Sequence, residues 1–190
     1  MRVYSFSQFR PTSLYLRDGS VVLTSKPWGI VSRLIRWHTG EDETHAVRIL
    51  RHEDNELWMW EAHPFEWEYE GVTYLGGVRC MPQRAYIAML ERQQSRPITR
   101  ILGGLNPVVY SPCYTREQLR GLLEHARSVQ GSPYRIRNWF KQVPGTYHCS
   151  QFVGEGDHYI GLHPEYAGGR EDPGTYRKFV ERLEKETCGH

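Results

Sequence analysis

The sequence predicts a single α+β domain in which a central antiparallel sheet packs against helices. Two alternating, partly β-branched segments, 45–51 and 57–62, flank a short polar loop and indicate an antiparallel hairpin. Two later segments, 83–94 and 115–130, carry apolar residues at helical spacing. A chain of 190 residues is long enough for one domain with a substantial core.

Further strands are predicted on both sides of the hairpin. A turn at Gly19 precedes a buried strand at 21–24, and short apolar runs predict strands through 78–80 and 108–110. Acidic and aromatic residues alternate over 65–70, which is typical of a half-buried strand with one wet face.

The helices have recognisable starts. Pro27 begins a stripe of apolar residues that ends near His38. Thr115 and Gln118 form a capping box at the start of the 115–130 helix. Asp172 and Pro173 open a last helix, whereas the five glycines of 154–171 predict a loop.

Composition excludes several classes of protein. Hydrophobic residues make up 39% and charged residues 24%, as in an ordinary globular protein. The formal net charge of +2 is too small to indicate a nucleic-acid partner. No stretch is long enough to cross a bilayer, and residues 1–10 lack the apolar core of a signal peptide. We therefore expect a protein kept in the reducing cytosol, unless a phage particle or a secretion machine carries it.

The four cysteines, Cys80, Cys113, Cys149 and Cys188, are widely spaced. They contain no pair at metal-ligand spacing, so we expect neither a structural zinc site nor a cofactor. Counting alone leaves two disulfides open. A zinc site joining Cys149 to nearby histidines is the alternative, and its spacing is irregular; those histidines are His148, His158 and His163.

Cys149 is the strongest candidate for a reactive residue. It follows Pro144-Gly145 and starts an apolar run with the spacing of a helix face, continued by Phe152 and Val153. In the first turn of a helix, unpaired N–H groups and the helix dipole favour the thiolate, which is the nucleophile. The alternative is a small buried side chain without chemistry.

A base for this thiol is available at His45, where a histidine leads into a strand. A hairpin brings its two outer ends together, so His45 and the region of Glu61 and His63 should be neighbours. Either a carboxylate or a second histidine could therefore contact the imidazole.

Three motifs in order resemble the circularly permuted NlpC-type cysteine peptidases of the papain-like superfamily, in the YiiX-like branch. The first is Gly19-Ser20-Val21-Val22-Leu23-Thr24, followed by a helix and Thr44-His45-Ala46-Val47. The second is Trp60-Glu61-Ala62. The third is Gly131-Ser132-Pro133-Tyr134, then Tyr147-His148-Cys149-Ser150-Gln151-Phe152-Val153.

The resemblance covers most of residues 19–154, which would form the core of one domain spanning 1–190, with a helical extension at 155–190. Ser20 stands where the family has Asp, and Gln151 stands where Glu is common. His148 adds a titratable group beside the thiol. The order of histidine, acid and cysteine is that of a permuted chain, and a triad is recognised by geometry rather than order.

The resemblance implies a cysteine hydrolase with Cys149 as nucleophile, His45 as base and Glu61 as the residue that orients the imidazole. His63 is the substitute for Glu61. The Cys149 backbone N–H and either Tyr147 or His148 would hold the oxyanion. Tyr134 would line the groove, and Trp139 would either line it or, as we favour, pack in the core.

The implied reaction is acyl transfer through a thioester on a peptide or acyl substrate, with peptidoglycan stem peptides first among the relatives' targets. A lipid or protein acyltransferase, thioesterase or deamidase is the second hypothesis. A binding module with an idle triad is the third, and deep burial of Cys149 would favour it.

Overall fold

The computed structural model describes residues 2–3, 16–25, 44–97, 106–135, 143–166 and 171–189. Trp139 and the helix predicted after Pro27 lie outside these residues.

A six-stranded antiparallel sheet forms the centre of the fold. Its strands, in spatial order, are β1 (Arg2–Val3), β8 (Asn106–Tyr110), β2 (Val21–Ser25), β3 (His45–Arg51), β4 (Leu57–His63) and β7 (Gly77–Pro82). A separate two-stranded hairpin is formed by β5 (Trp67–Tyr69) and β6 (Val72–Tyr74). The hairpin of β3 and β4 that the sequence predicts is present, with Arg48 opposite Trp60.

Four helices are described, and none of them is long and apolar enough to cross a membrane. They are α1 (Gln83–Gln94), α2 (Arg116–Ser128), α3 (Cys149–Tyr159) and α4 (Pro173–Cys188). The capping box predicted at Thr115 is present, because its side chain accepts from the Gln118 N–H while Gln118 bonds back to Thr115. The α+β class predicted from the sequence is confirmed.

Alternation along the strands gives the sheet a core on each face. Val21 and Leu23 face one core, which α2, α3 and α4 cover, and Val22 faces the other, which α1 covers. On the same principle β4 sends Trp60 to the first core and Met59 to the second. The helix that carries Cys149 therefore packs on one face of the strands that carry His45 and Glu61.

The prediction of a loop over 154–171 is wrong for its first residues, because α3 continues to Tyr159. Its two inner glycines are sites of close packing. A Cβ atom on Gly154 would lie 3.1 Å from the Glu171 side chain, and one on Gly156 would lie 3.3 Å from Leu122. Glycine costs a helix roughly 1 kcal/mol of propensity, and here the close approach of neighbouring elements offsets that cost.

A buried ion pair joins this helix to the sheet. The Arg48 guanidinium of β3 donates to the Asp157 carboxylate of α3 at 2.5 Å, with both side chains at most 2% exposed. The hydroxyls of Tyr114 and Tyr176 each accept from Arg48 and donate to Asp157 at 2.7–2.8 Å. Every charge in the cluster is therefore hydrogen-bonded, as buried charges require.

A disulfide ties the end of α4 to the segment before α2. Cys113 and Cys188 are bonded across 75 residues, with their Cα atoms 5.4 Å apart. Cysteine counting left this pairing open, and the reducing environment inferred from the sequence did not favour it. Cys80 and Cys149 are free thiols.

Replacing Asp157 with Asn should destabilise the fold strongly, because it leaves the buried Arg48 charge without its partner. We expect the free energy of unfolding to fall by about 3 kcal/mol, measured by chemical denaturation. Glu53→Gln is the matched control, since it breaks an exposed pair with Arg127 and should cost about 0.5 kcal/mol. Equal losses in the two variants would contradict this account of the cluster.

Candidate active site

His45 and Glu61 lie together at one end of the β3–β4 hairpin. His45 is the first residue of β3, and Glu61 lies two residues before the end of β4. The His45 Nε2–H donates to Glu61 Oε2 at 2.6 Å, and the Glu61 side chain is fully buried. The pairing leaves Nδ1 as the ring nitrogen that can face another group.

Arg79 holds the other oxygen of Glu61. It stands directly opposite Glu61 in the register of β4 and β7. Its Nε and Nη2 atoms donate to Glu61 Oε1 at 2.9 and 2.6 Å, a two-pronged contact that fixes the plane of the carboxylate. Burial disfavours the charge of Glu61, but His63, His45 and Arg79 outweigh it and hold its pKa well below the usual range.

His63 approaches the pair without replacing Glu61. Its ring lies edge-on to that of His45, with centroids 5.5 Å apart. Its Nδ1 lies 3.1 Å from the carbonyl oxygen and 3.2 Å from the N–H of Phe65. Of the two residues that the sequence offered as the partner of His45, Glu61 is the one hydrogen-bonded to it.

Cys149 is the first residue of α3, as the sequence predicted from its spacing. Its Sγ lies 4.0 Å from the carbonyl oxygen of Thr44, the residue before His45, so the start of α3 meets the start of β3. The residue is 2% exposed. The structure therefore brings together the three residues that the sequence selected from distant parts of the chain.

His148 caps the helix that Cys149 begins. Its ring Nδ1 accepts from the Gln151 N–H at 3.2 Å, so the neutral ring carries its proton on Nε2. The residue is fully buried. A helix cap of this kind fixes the ring beside the first turn, next to the thiol.

The surroundings of Cys149 favour its thiolate. Burial raises its pKa, but hydrogen bonds from His148 and His45, together with the electrostatic influence of both rings, outweigh burial and lower the pKa from 9.0 to about 5. Burial also lowers the pKa of His45, and its hydrogen bonds with Cys149 and Glu61 raise the pKa to a net value above the usual range. Both shifts favour the pair of thiolate and imidazolium over the neutral thiol and imidazole.

The fold is shared with a solved structure. The chain is similar to the crystal structure of metalloprotein YiiX from Escherichia coli O157:H7, with a TM-score of 0.55 and 19% sequence identity. The similarity covers 90% of this chain and 84% of that chain. The chain has the YiiX fold. No protein-family model and no curated protein matches the sequence.

The YiiX fold confirms the YiiX-like resemblance that the sequence motifs indicated. At 19% identity the likeness concerns the architecture alone.

Two further groups near the site were not predicted in their observed places. The contact of Arg79 with Glu61 could not be predicted, because the strand register that places them opposite each other is set by the fold of residues 64–76. The Tyr147 hydroxyl, predicted as an oxyanion donor, instead donates to Glu155 at 2.9 Å.

Tyr134 forms a bridge with Tyr147. Burial, followed by the nearby charges of Cys149 and Glu61, raises the pKa of the Tyr134 hydroxyl, which therefore stays protonated.

The pH dependence of alkylation tests the pairing of Cys149. Labelling by iodoacetamide between about pH 4 and pH 9 should be half-maximal near pH 5 for Cys149, because the thiolate reacts. Cys80 is the internal control, since burial raises its pKa above 9.0 and its labelling should still climb at the top of the range. His45→Ala should raise the pH of half-maximal Cys149 labelling. An unchanged value in this variant would contradict the pairing of Cys149 with His45.

Arg79 should influence this midpoint without touching the thiol. In Arg79→Met the Glu61 carboxylate loses a counter-charge, so its pKa should rise, His45 should hold its proton less well, and the Cys149 midpoint should move upward. Arg79→Lys keeps the charge but loses the fork, and should give a smaller upward movement. The exposed Arg84→Met is the control. A midpoint unchanged in folded Arg79→Met would contradict a positioning role.

Proposed function

We propose that the protein is a cysteine hydrolase that acts by acyl transfer through a thioester. The observation that carries the proposal is the continuous chain of contacts from the Cys149 thiol through His45 to Glu61. Such catalysis needs a nucleophile, a base that hydrogen-bonds to it and a third group that hydrogen-bonds to the base and orients it. The papain-like fold supports the same reaction class.

The first half of the proposed reaction forms the thioester. The Cys149 thiolate attacks the carbonyl carbon of the substrate, and the carbonyl electron pair moves onto oxygen. When the tetrahedral intermediate collapses, the bond to the leaving amine breaks, and the His45 imidazolium gives that amine its proton. The Glu61 carboxylate stabilises the imidazolium and keeps the ring oriented.

The second half releases the product. Neutral His45 takes a proton from water, and the oxygen attacks the thioester carbonyl. Collapse expels the Cys149 thiolate and leaves a carboxylic acid, which restores the starting pair. Another nucleophile in place of water would make the same site an acyltransferase.

The developing oxyanion needs two donors. The Cys149 N–H lies in the first turn of α3, where backbone donors lack a helical partner, and it would be one of them. Tyr134 supplies the second in this proposal, because its bridge with Tyr147 places it beside the segment that leads into Cys149 and burial keeps its hydroxyl protonated. The Tyr147 hydroxyl is occupied by Glu155.

The proposed bond is an amide, and peptidoglycan stem peptides are the first substrates to examine. Lipid or protein acyl groups, transferred or hydrolysed on the same scaffold, form the second substrate class. The whole chain from residue 1 to 190 is proposed to act as one domain, since α4 of the C-terminal segment supplies Tyr176, Phe179, Val180 and Leu183 to the core around α3.

A metal does not enter this mechanism. The similar YiiX protein is named a metalloprotein. Among the residues described in this chain, no group of three or more histidine, cysteine, aspartate or glutamate side chains is arranged to hold a metal ion. His163, one of the zinc ligands considered from the sequence, lies 3.3 Å from Glu171 instead. No proposed step passes through a metal.

Hydrolysis of muropeptides, amide peptides and acyl thioesters by the full chain tests the proposal. Cys149→Ala and His45→Ala should each lower kcat by roughly 10³-fold or more, and Glu61→Gln by roughly 10²-fold or more. Cys80→Ala is the matched control and should leave kcat unchanged. Turnover that survives in Cys149→Ala would exclude a thioester mechanism.

One observation favours a binding module instead, namely the 2% exposure of Cys149. In that case the thiol would be shielded from small reagents as well as from substrates. Iodoacetamide labelling of Cys149 no faster than that of Cys80 at about pH 6 would support the binding module. Fast labelling that depends on His45 would support the hydrolase.

A further inference from the structure

An exposed surface next to the site, formed by the β5–β6 hairpin and the residues that flank it, combines apolar and acidic side chains. Phe65 and Leu75 are each 68% exposed, although both are large and apolar. The β5–β6 register places Glu68 opposite Thr73, on the face away from the inward side chains Trp67 and Tyr74. Phe65, Glu66 and Leu75 flank the two strands and are exposed as well. We call the exposed set of Phe65, Glu66, Glu68, Thr73 and Leu75 the hairpin face.

The hairpin face is continuous with the candidate active site. The Phe65 ring lies 5.9 Å from that of His63, and the His63 ring lies 5.5 Å from that of His45. Two ring contacts therefore lead from the exposed phenyl group to the proposed base.

Arg79 makes a second connection. Its Nη1 donates to the carbonyl oxygens of Phe65 at 2.7 Å and Leu75 at 3.4 Å, while its Nε and Nη2 hold Glu61. One buried guanidinium thus fixes both the base of the hairpin face and the carboxylate that orients His45.

The charges on the hairpin face select the chemistry of its ligand. Glu66 and Glu68 are exposed and follow Phe65 within three residues of the chain, so a group bound to the hairpin face must be apolar in one part and cationic in another. Carboxylates attract an ammonium or guanidinium group and repel anionic lipid headgroups. Exposed apolar side chains of this kind, rimmed by polar ones, mark binding surfaces.

We propose that the hairpin face binds the substrate of the proposed hydrolase, a peptide in which an apolar side chain lies next to a basic one. The proposal rests on the proposed function. The apolar side chain packs on Phe65 and Leu75, the basic one pairs with Glu66 and Glu68, and the scissile amide reaches Cys149 past His63.

Three acetylated and amidated hexapeptides probe this assignment: alternating Lys and Leu, alternating Glu and Leu, and alternating Lys and Ser. Their affinities for full-length Cys149→Ala are measured by fluorescence anisotropy. The Lys–Leu peptide should bind best. Phe65→Ser with Leu75→Ser should weaken it about tenfold, the transfer cost of roughly one exposed apolar contact.

The contribution of charge to binding is tested with a variant that carries both Glu66→Gln and Glu68→Gln. These changes should weaken the Lys–Leu peptide about threefold at low salt and have no effect at high salt, because exposed ion pairs are weak and screened. Val72→Ser is the matched control, since Val72 is 52% exposed on the same hairpin but pairs with Tyr69 on its other face. It should leave every affinity unchanged.

Continuity with the site is tested in the protein that retains Cys149. Saturating Lys–Leu peptide should slow iodoacetamide labelling of Cys149, and the Phe65→Ser, Leu75→Ser protein should lose this protection while keeping the peptide-free rate. Equal binding of the three peptides, or binding without protection, would overturn the inference and leave the hydrolase proposal standing.

Two other outcomes separate the remaining possibilities. Sedimentation with phosphatidylcholine vesicles that depends on Phe65 and Leu75, without peptide binding, would overturn the inference in favour of a membrane contact. Cys149 that is unreactive in the peptide-free protein would overturn the proposed function itself, and with it this inference.

Discussion

The candidate site depends on the hydrogen bonds that the buried Glu61 carboxylate accepts from its two neighbours. The carboxylate is fully buried, and one oxygen accepts from His45 while the other accepts twice from Arg79. A buried carboxylate is stable only where such partners surround it. Its negative charge raises the pKa of His45, and the hydrogen bond between His45 and Cys149 then helps to lower the pKa of the thiol. A contact between two strands thus contributes, together with the hydrogen bond from His148, to the low pKa of a thiol on a helix.

The fold places this carboxylate where it can act in this way. β4 lies between β3 and β7, so a side chain near its end has His45 on one side and Arg79 on the other. The Arg48–Asp157 pair then fixes α3 against β3, which keeps the first turn of the helix beside His45. Two buried ion pairs therefore hold the site, Arg48–Asp157 between β3 and α3 and Arg79–Glu61 between β7 and β4.

Local patterns were sufficient to predict part of this arrangement. The short polar loop fixed the hairpin, so the proximity of His45 and Glu61 followed from sequence, and the spacing after Cys149 placed it at a helix start. Arg79 could not be predicted, because its register with Glu61 depends on how 64–76 folds between two strands. Asp157 was missed because Gly154 and Gly156 indicated a loop. In the structure these glycines permit close packing, which depends on residues distant in the chain.

The bond between Cys113 and Cys188 places two opposite chemical demands on the protein. Conditions that keep a disulfide closed also convert a thiolate to sulfenic and then sulfinic acid, and a thiol of low pKa is the first to be oxidised. Cys149 is such a thiol, and it is free and 2% exposed. One chain therefore holds a cross-link that oxidising conditions keep closed and a thiol that the same conditions would inactivate.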